Sequence, residues 1–428
     1  MDNSFRVGIA GLGTVGRGVV RTLQKNRELL RKRVGRELAV VAVCARSRSK
    51  ERGIALDAYE WEADPARLAA RPDIDAFVEL MGGEDGDAKR SVEAAIGNGK
   101  HVVTANKALL AVHGHALAEA AEQQSVALRF EAAVAGGIPV IKALGESLAG
   151  DRITRVVGVL NGTCNYILTR MEKNEASYPE IFSEAQSLGY LEADPTLDVG
   201  GIDAAHKLAL LASLAYGTRV DFGNVDIEGI ERISLRDIEQ TRDMGYRVKL
   251  LCVARMSEEG LEQRTQPCLV PRYSTVGRID GATNIVLLEG EATGQISLQG
   301  PGAGEGPTAT AVVGDIVGIA RGSAGTTFGQ PAATLVSAPP ARSAVPVPYY
   351  LRLSLRDEPG AFAEIALALA WANVSIDRIR QYAHATEAAP VIIVTHATTR
   401  ARLDRALDEI RRSEVSLREP VSIRIEEI

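Results

Sequence analysis

The chain is poor in cysteine: it has four in 428 residues, and Cys44, Cys164, Cys252 and Cys268 lie far apart with no C-x-x-C pair. Such spacing excludes a disulfide framework or a zinc ribbon and suits reduced thiols. Long hydrophobic runs are missing too. The longest uncharged apolar stretches, 208–218 and 365–376, fall well short of the roughly 20 residues of a membrane-spanning helix. At the N-terminus, Asp2 and Arg6 flank a segment that already reads as a strand, which leaves no room for an apolar leader with a cleavage site. The sequence is therefore read as cytoplasmic, with no membrane contact. An excess of positive charge is also lacking: 49 Lys and Arg stand against 55 Asp and Glu, for a net charge of -6, so there is no global footprint for nucleic acid or an anionic membrane. Internal repeats and low-complexity tracts are absent.

What is present is ordinary globular material, 46% hydrophobic and 24% charged, over a length that implies two to four domains. From residue 5 to about 135, short apolar runs (5–10, 38–45, 76–80, 101–104 and 127–134) alternate with helical segments such as 15–31 and 115–124. Continuous apolarity marks strands buried on both faces, hence an α/β unit with a parallel sheet. Residues 136–330 mix helical segments (139–148, 163–173, 178–188, 202–215, 308–320) with strand-like runs at 155–160, 247–254, 266–270, 284–289 and 295–300, an α+β unit read as the substrate and dimerisation domain. Five prolines between 331 and 348 read as a linker. Residues 349–428 then spell β-α-β-β-α-β, the ferredoxin-like order.

Gly11-Leu12-Gly13-Thr14-Val15-Gly16 follows the first strand and opens a helix. In that context it is a Rossmann dinucleotide fingerprint, with Gly11 in the tight turn, Gly13 where backbone approaches a pyrophosphate and Gly16 where helix meets strand. The second strand ends in Arg46, Arg48 and Lys50 with no acidic residue. This favours NADP over NAD, since cations attract a 2′-phosphate; a solvated basic loop is the competing reading. Thr104-Ala105-Asn106-Lys107 ends the fourth strand, at the carboxyl edge where open α/β sheets bind ligands. Lys107 at a positive helix start needs an anion beside it. Asp203 and Lys207 share one helix face at i and i+4 and follow the carboxylate-rich loop 189–201 that contains Glu192 and Asp198. Alone, such a pair is most simply a surface ion pair; behind that loop, the lysine can serve as a base. Asn161-Gly162-Thr163 can offer N–H groups to a carboxylate or be an ordinary helix cap. A second glycine-rich loop, 300–308, contains Gly304 and Glu305 and can close over the cofactor. His113 and His115 lack nearby acids or cysteines in the sequence and are set aside as a metal pair.

These segments, with 130–139 and in this order, closely resemble homoserine dehydrogenase from end to end. The resemblance implies reversible oxidation of L-homoserine to L-aspartate 4-semialdehyde with NAD(P), with Lys207 as general acid/base, Glu192 and Asp198 on the substrate and its proton network, Lys107 orienting substrate and Asp203 positioning Lys207. It further implies that Glu131 by its side chain, and Val134, Gly136 and Ile138 by their carbonyls, hold a monovalent cation, Na or K. Residues 349–428 resemble an ACT domain, which implies pairing of chains into a homodimer or homotetramer and L-threonine as effector. Two other readings stay open: another ACT-tailed amino-acid-pathway dehydrogenase, and a non-enzymatic dinucleotide and amino-acid sensor.

Overall fold

The computed structural model describes residues 4–188, 195–323, 325–341, 345–381 and 388–428. In the first part, β1 (Phe5–Ala10), α1 (Thr14–Lys25), α2 (Arg27–Val34), β2 (Leu38–Cys44), β3 (Glu60–Glu62), α3 (Pro65–Ala69), β4 (Ala76–Glu79), α4 (Asp87–Gly97), β5 (His101–Thr104), α5 (Lys107–Gln123) and β6 (Leu128–Arg129) alternate. The six strands form one parallel sheet in the order β3-β2-β1-β4-β5-β6, the doubly wound arrangement in which ligands bind beyond the carboxyl ends at the switch between β1 and β4. Val7, Ile9, Phe77, Val78, Val102 and Val103 are all buried, which is why these strands carry no alternation.

Three local expectations are corrected, and one strand is added. The single helix over 15–31 is broken at Asn26, which ends α1 and precedes α2. The helix expected from residue 115 starts at Lys107, because Asn106 caps it by accepting from Leu109 N at 3.1 Å. The strand expected over 127–134 is only the two residues of β6; a 3₁₀ turn, Glu131–Ala133, replaces the rest, since the Glu131 amide turns to Asp315 Oδ2 at 2.9 Å rather than to a ladder. β3 was not visible in the sequence, being three residues with two glutamates.

The second part contains α6 (Val140–Lys142), β7 (Ile153–Val159), α7 (Gly162–Asn174), α8 (Tyr178–Ser187), α9 (Thr196–Val199), α10 (Ile202–Tyr216), β8 (Asp226–Ile227), α11 (Leu235–Asp243), β9 (Tyr246–Ser257), β10 (Gly260–Pro271), β11 (Thr283–Gly290), β12 (Gly294–Pro301) and α12 (Glu305–Ala320). α12 returns to the dinucleotide half: Ala309, Val312 and Ile316 share one core with Val7, Val19 and Val20. Within the expected linker 331–348, residues 332–340 pack against the catalytic half. Ala332 and Leu335 are buried, the Ala332 amide donates to Glu122 at 2.8 Å, and Val336 and Pro340 bridge to Thr218 and Leu261.

The C-terminal unit, β13 (Tyr349–Arg356), α13 (Ala361–Trp371), β14 (Ile376–Gln381), β15 (Ala388–Thr395), α14 (Arg400–Arg412) and β16 (Val421–Ile425), has the expected β-α-β-β-α-β order. Its sheet is joined to the preceding one. β16 pairs with β10 at Cys268↔Arg424 and Leu269↔Ile425, so a single ten-stranded sheet runs through both units.

Candidate active site

The glycine motif explains itself sterically. A Cβ on Gly16 would collide with the Gly11 carbonyl, and Gly11 has a φ of +96° against the Leu80 carbonyl, so both are fixed by close packing. Gly13 differs: a Cβ there would meet nothing within 4 Å, and as the cap of α1 it has no side-chain acceptor for the first N–H groups. Open space over unsatisfied donors at a helix start fits a pyrophosphate. Leu12 is buried, while Gly13 and Thr14 are exposed. At the end of β2, Arg46, Arg48 and Lys50 are all exposed on one loop. Arg52, which the sequence did not single out, is buried beneath it and donates to the carbonyls of Lys50 and Ser47, each at 2.6 Å.

A cavity of about 430 Å³ opens beside this motif, lined by Val15, Leu80 and Lys107 from the dinucleotide half and by Asp198, Asp203 and His206 from the other. Asp203, on the first turn of α10, is the hub. Its Oδ2 accepts from Lys207 Nζ at 2.7 Å and from Asn161 Nδ2 at 2.9 Å, and its Oδ1 lies 3.1 Å from Lys107 Nζ. Burial opposes ionisation of this carboxyl, but the two lysine charges outweigh it and hold Asp203 well below the usual carboxylate range. The anion that Lys107 needs at the start of α5 is therefore supplied by the protein itself. Lys207 Nζ also donates to the Leu160 carbonyl at 2.8 Å, which fixes two of its three donor directions.

Asn161 caps α7 through Oδ1, accepting from Cys164 N at 2.7 Å, while its Nδ2 ties Asp198 (2.8 Å) to Asp203. The cap and the site are one residue. Gly162 and Thr163 open the same helix. Burial pushes the Cys164 thiol far up, so it stays protonated and donates to the Asp198 carbonyl at 3.2 Å. Glu192 lies outside the described residues.

Below the cavity floor, Glu79 was missed in the sequence. Fully buried at the end of β4, it accepts from Met81 N (2.7 Å), Gly82 N (3.2 Å) and Thr104 Oγ1 (2.6 Å). The Thr104 hydroxyl in turn accepts from Asn106 N at 2.9 Å, and Asn106 Nδ2 reaches the Gly83 carbonyl at 2.6 Å. The clue was a lone carboxylate ending the otherwise apolar strand Ala76–Glu79. His206 was seen but set below Lys207. It lines the cavity with its ring 4.2 Å from that of Phe222, and burial lowers its pKa, which keeps the imidazole neutral at pH 7.

With this geometry in view, the comparisons are decisive. A model of homoserine dehydrogenase matches residues 139–317, a model of the homoserine dehydrogenase NAD-binding domain matches 11–131, and an ACT-domain model matches 349–415. The chain is 42% identical over 412 residues to the homoserine dehydrogenase of Neisseria gonorrhoeae, covering 94% of each chain. The chain belongs to the homoserine dehydrogenase family. It is an oxidoreductase, and the sensor and other-dehydrogenase readings are discarded. A homoserine dehydrogenase of Bacillus subtilis is 38% identical, with 96% of each chain covered. The crystal structure of one from Thiobacillus denitrificans superposes with a TM-score of 0.93 at 40% identity, covering 99% of this chain and 98% of that one.

The remaining expected residues of this dehydrogenase fold fall in two places. Gly304 and Glu305 start α12, where the Glu305 carboxylate pairs with Arg21 at 2.8 Å and Arg17 at 3.6 Å on α1. Glu131, Val134, Gly136 and Ile138 lie along the irregular segment 131–138, with Gly136 and Gly137 packed on Gly302 and Pro307. Glu131 Oε1 and Oε2 accept from Ile141 N (2.9 Å) and Lys142 N (3.0 Å). Burial, with the Asp315 charge adding to it, raises the Glu131 carboxyl to about 7. Asp315 itself, missed as the single charge of α12 after Glu305, pairs with Lys142 Nζ at 2.7 Å. Among the described residues no group of three His, Cys, Asp or Glu side chains is placed to hold a metal; His113 and His115 pair separately, with Asp85 and Glu119.

Proposed function

We propose that this protein interconverts L-homoserine and L-aspartate 4-semialdehyde, with NADP favoured over NAD. The observation that carries the reading is Asp203 joined to both Lys107 and Lys207 at the cavity where the two halves meet. A bound nicotinamide supplies the hydride chemistry. The chain supplies the rest: Gly11–Gly16 and the start of α1 cradle the pyrophosphate, and Arg46, Arg48 and Lys50 attract the 2′-phosphate. Lys107 draws the substrate to the cavity wall, with Glu192 and Asp198 completing its polar contacts. Lys207, aimed by Asp203 and Leu160, gives its proton to the alkoxide oxygen as the aldehyde is reduced and takes the hydroxyl proton back in the reverse direction.

The same proposal divides the chain into a dinucleotide domain (1–135), a substrate and dimerisation domain (136–330), a connecting segment (331–348) and a regulatory ACT domain (349–428). It includes threonine feedback, assembly into a homodimer or homotetramer, a cytoplasmic location and a place in threonine, methionine and isoleucine biosynthesis. It also assigns a monovalent cation to Glu131 and the carbonyls of Val134, Gly136 and Ile138, since an all-oxygen set with one buried carboxylate suits a hard cation. The deciding measurement is absorbance of reduced nicotinamide as homoserine is added with NADP. No turnover by the folded protein would reject the activity.

A further inference from the structure

The loop that follows β2 is organised around one buried residue. Residues 46–51 and 53 are exposed, whereas Arg52 is 7% exposed. Its guanidinium is engaged by the loop's own backbone: Nη1 donates to the Lys50 carbonyl and Nη2 to the Ser47 carbonyl, each at 2.6 Å. No carboxylate pairs with it among the described residues, and Glu51, the one acid of the loop, is exposed. Both ends of the loop are tied down. The Gly11 amide of the glycine turn donates to the Cys44 carbonyl at 2.9 Å. At the far end Arg21 Nη2 donates to the carbonyls of Arg52 (3.4 Å) and Gly53 (3.3 Å), and Arg21 is itself anchored on Glu305 at 2.8 Å.

A trans peptide points its C=O and its N–H in opposite directions. With the Ser47 and Lys50 carbonyls drawn down onto Arg52, the amides of Arg48 and Glu51 face away from it, and neither makes a hydrogen bond among the described residues. The Ser47 and Ser49 hydroxyls, 3.2 Å apart, have only each other among the described residues. The outer side of the loop is therefore a set of donors above a guanidinium without a counter-ion, which is the arrangement of an anion-binding nest. A buried cation is ordinarily paired, and here the side open to a partner is the outer one. Position selects the anion. The end of β2 in a doubly wound sheet lies against the adenosine ribose of a dinucleotide whose pyrophosphate sits at the glycine turn. A phosphate monoester there offers three acceptor oxygens to these donors, whereas a ribose hydroxyl offers one and brings no charge.

We propose that Arg52 is a positioning residue for cofactor choice, shaping loop 46–51 into a nest for the 2′-phosphate of NADP without touching it. The exposed side chains of Arg46, Arg48 and Lys50 attract the phosphate from solution, and the amides that Arg52 orients hold it. This inference rests on the proposed preference for NADP and names the residue behind it.

The test is fluorescence titration of the full chain with NADPH and NADH, beside calorimetric titration with adenosine 2′-monophosphate and adenosine 5′-monophosphate. Arg52→Met should weaken NADPH and adenosine 2′-monophosphate by about tenfold or more, as hydrogen bonds to a charged group are lost, and change NADH by less than about threefold. Arg52→Lys keeps the charge but not the fork that holds two carbonyls, and should stay close to Arg52→Met. Thermal melts verify folding. If either variant fails to fold, Arg48→Pro set against Arg48→Ala isolates the outward amide, and the proline variant should bind NADPH several-fold more weakly. Equal losses for NADPH and NADH in folded Arg52→Met, full recovery in Arg52→Lys, or Arg48→Pro no weaker than Arg48→Ala would each overturn the proposal. Wild type that binds NADPH no more tightly than NADH would overturn the proposed preference instead; adenosine 2′-monophosphate binding, lost or kept in Arg52→Met, then still decides the nest.

Discussion

Lys107 and Asp203 meet across the cleft, Nζ to Oδ1 at 3.1 Å, although one begins a helix of the dinucleotide half and the other lies on a helix of the catalytic half. Through this contact a single carboxylate sets the position of both lysines, since its other oxygen is 2.7 Å from Lys207 Nζ. Lys207→Ala should therefore lower turnover about 100-fold or more, as loss of a general acid/base does, with cofactor affinity nearly unchanged. Asp203→Asn should lower turnover and also raise the homoserine KM, because it releases both lysines. Steady-state kinetics with cofactor titrations measure each; turnover within a few-fold of wild type for Lys207→Ala would remove that residue from the mechanism.

Glu79 acts at one remove. Glu79→Gln keeps an acceptor for Met81 and Gly82 but puts an amide donor where the carboxylate accepted from the Thr104 hydroxyl, so that hydrogen bond must reverse. The expected outcome is a homoserine KM raised several-fold with a smaller change in kcat, as Lys107 loses its support. A lower melting temperature with KM unchanged would make Glu79 purely structural.

Cofactor choice is tested at the rim of β2. Arg46→Asp replaces attraction for a 2′-phosphate with repulsion and should weaken NADP far more than NAD. Equal losses for both cofactors in fluorescence titrations would mean that this loop does not read the phosphate.

Lys249, fully buried on β9, donates to Asn165 Oδ1 at 2.8 Å and to the Ile279 carbonyl. Burial, with the Arg247 charge adding to it, lowers its pKa to about 7. Between pH 7 and the ordinary lysine range the unfolded chain then binds a proton that the folded chain does not, so stability from this group rises with pH and is lost as pH falls through about 7. Melting temperatures of wild type relative to Lys249→Met should diverge in favour of wild type as pH rises from about 7 to 10. A constant difference would refute the shift.

Ending the chain at residue 338 would remove more than a self-contained ACT unit. It deletes Glu426, the shared partner of Arg155, Arg264 and Arg424, and bares the β10 edge. Depriving a buried charge of a partner costs about 3–5 kcal/mol, a large part of a typical domain's stability. The truncated protein should melt several degrees lower or aggregate. If it instead melts like the full chain, the C-terminal unit is independent of the catalytic fold.

The sequence by itself determined the parallel sheet, the glycine turn and the β-α-β-β-α-β tail, because each depends on local properties: continuous apolarity at 7–10 and 76–78, glycines where backbones touch, and period and length elsewhere. It also set Asp203 and Lys207 on one helix face, which follows from a four-residue spacing. Tertiary structure alone decided that Lys107, 96 positions from Asp203, completes that pair, that Asn161 both caps α7 and bridges Asp198 to Asp203, and that Glu79 underpins the floor. Those contacts join chain segments with no local signal for one another. The same holds for 331–348 and the β10–β16 seam: proline content predicts where a chain cannot be helical, but whether Ala332, Leu335 and Arg424 are buried depends on which surface lies opposite them, and only the folded sheet supplies it.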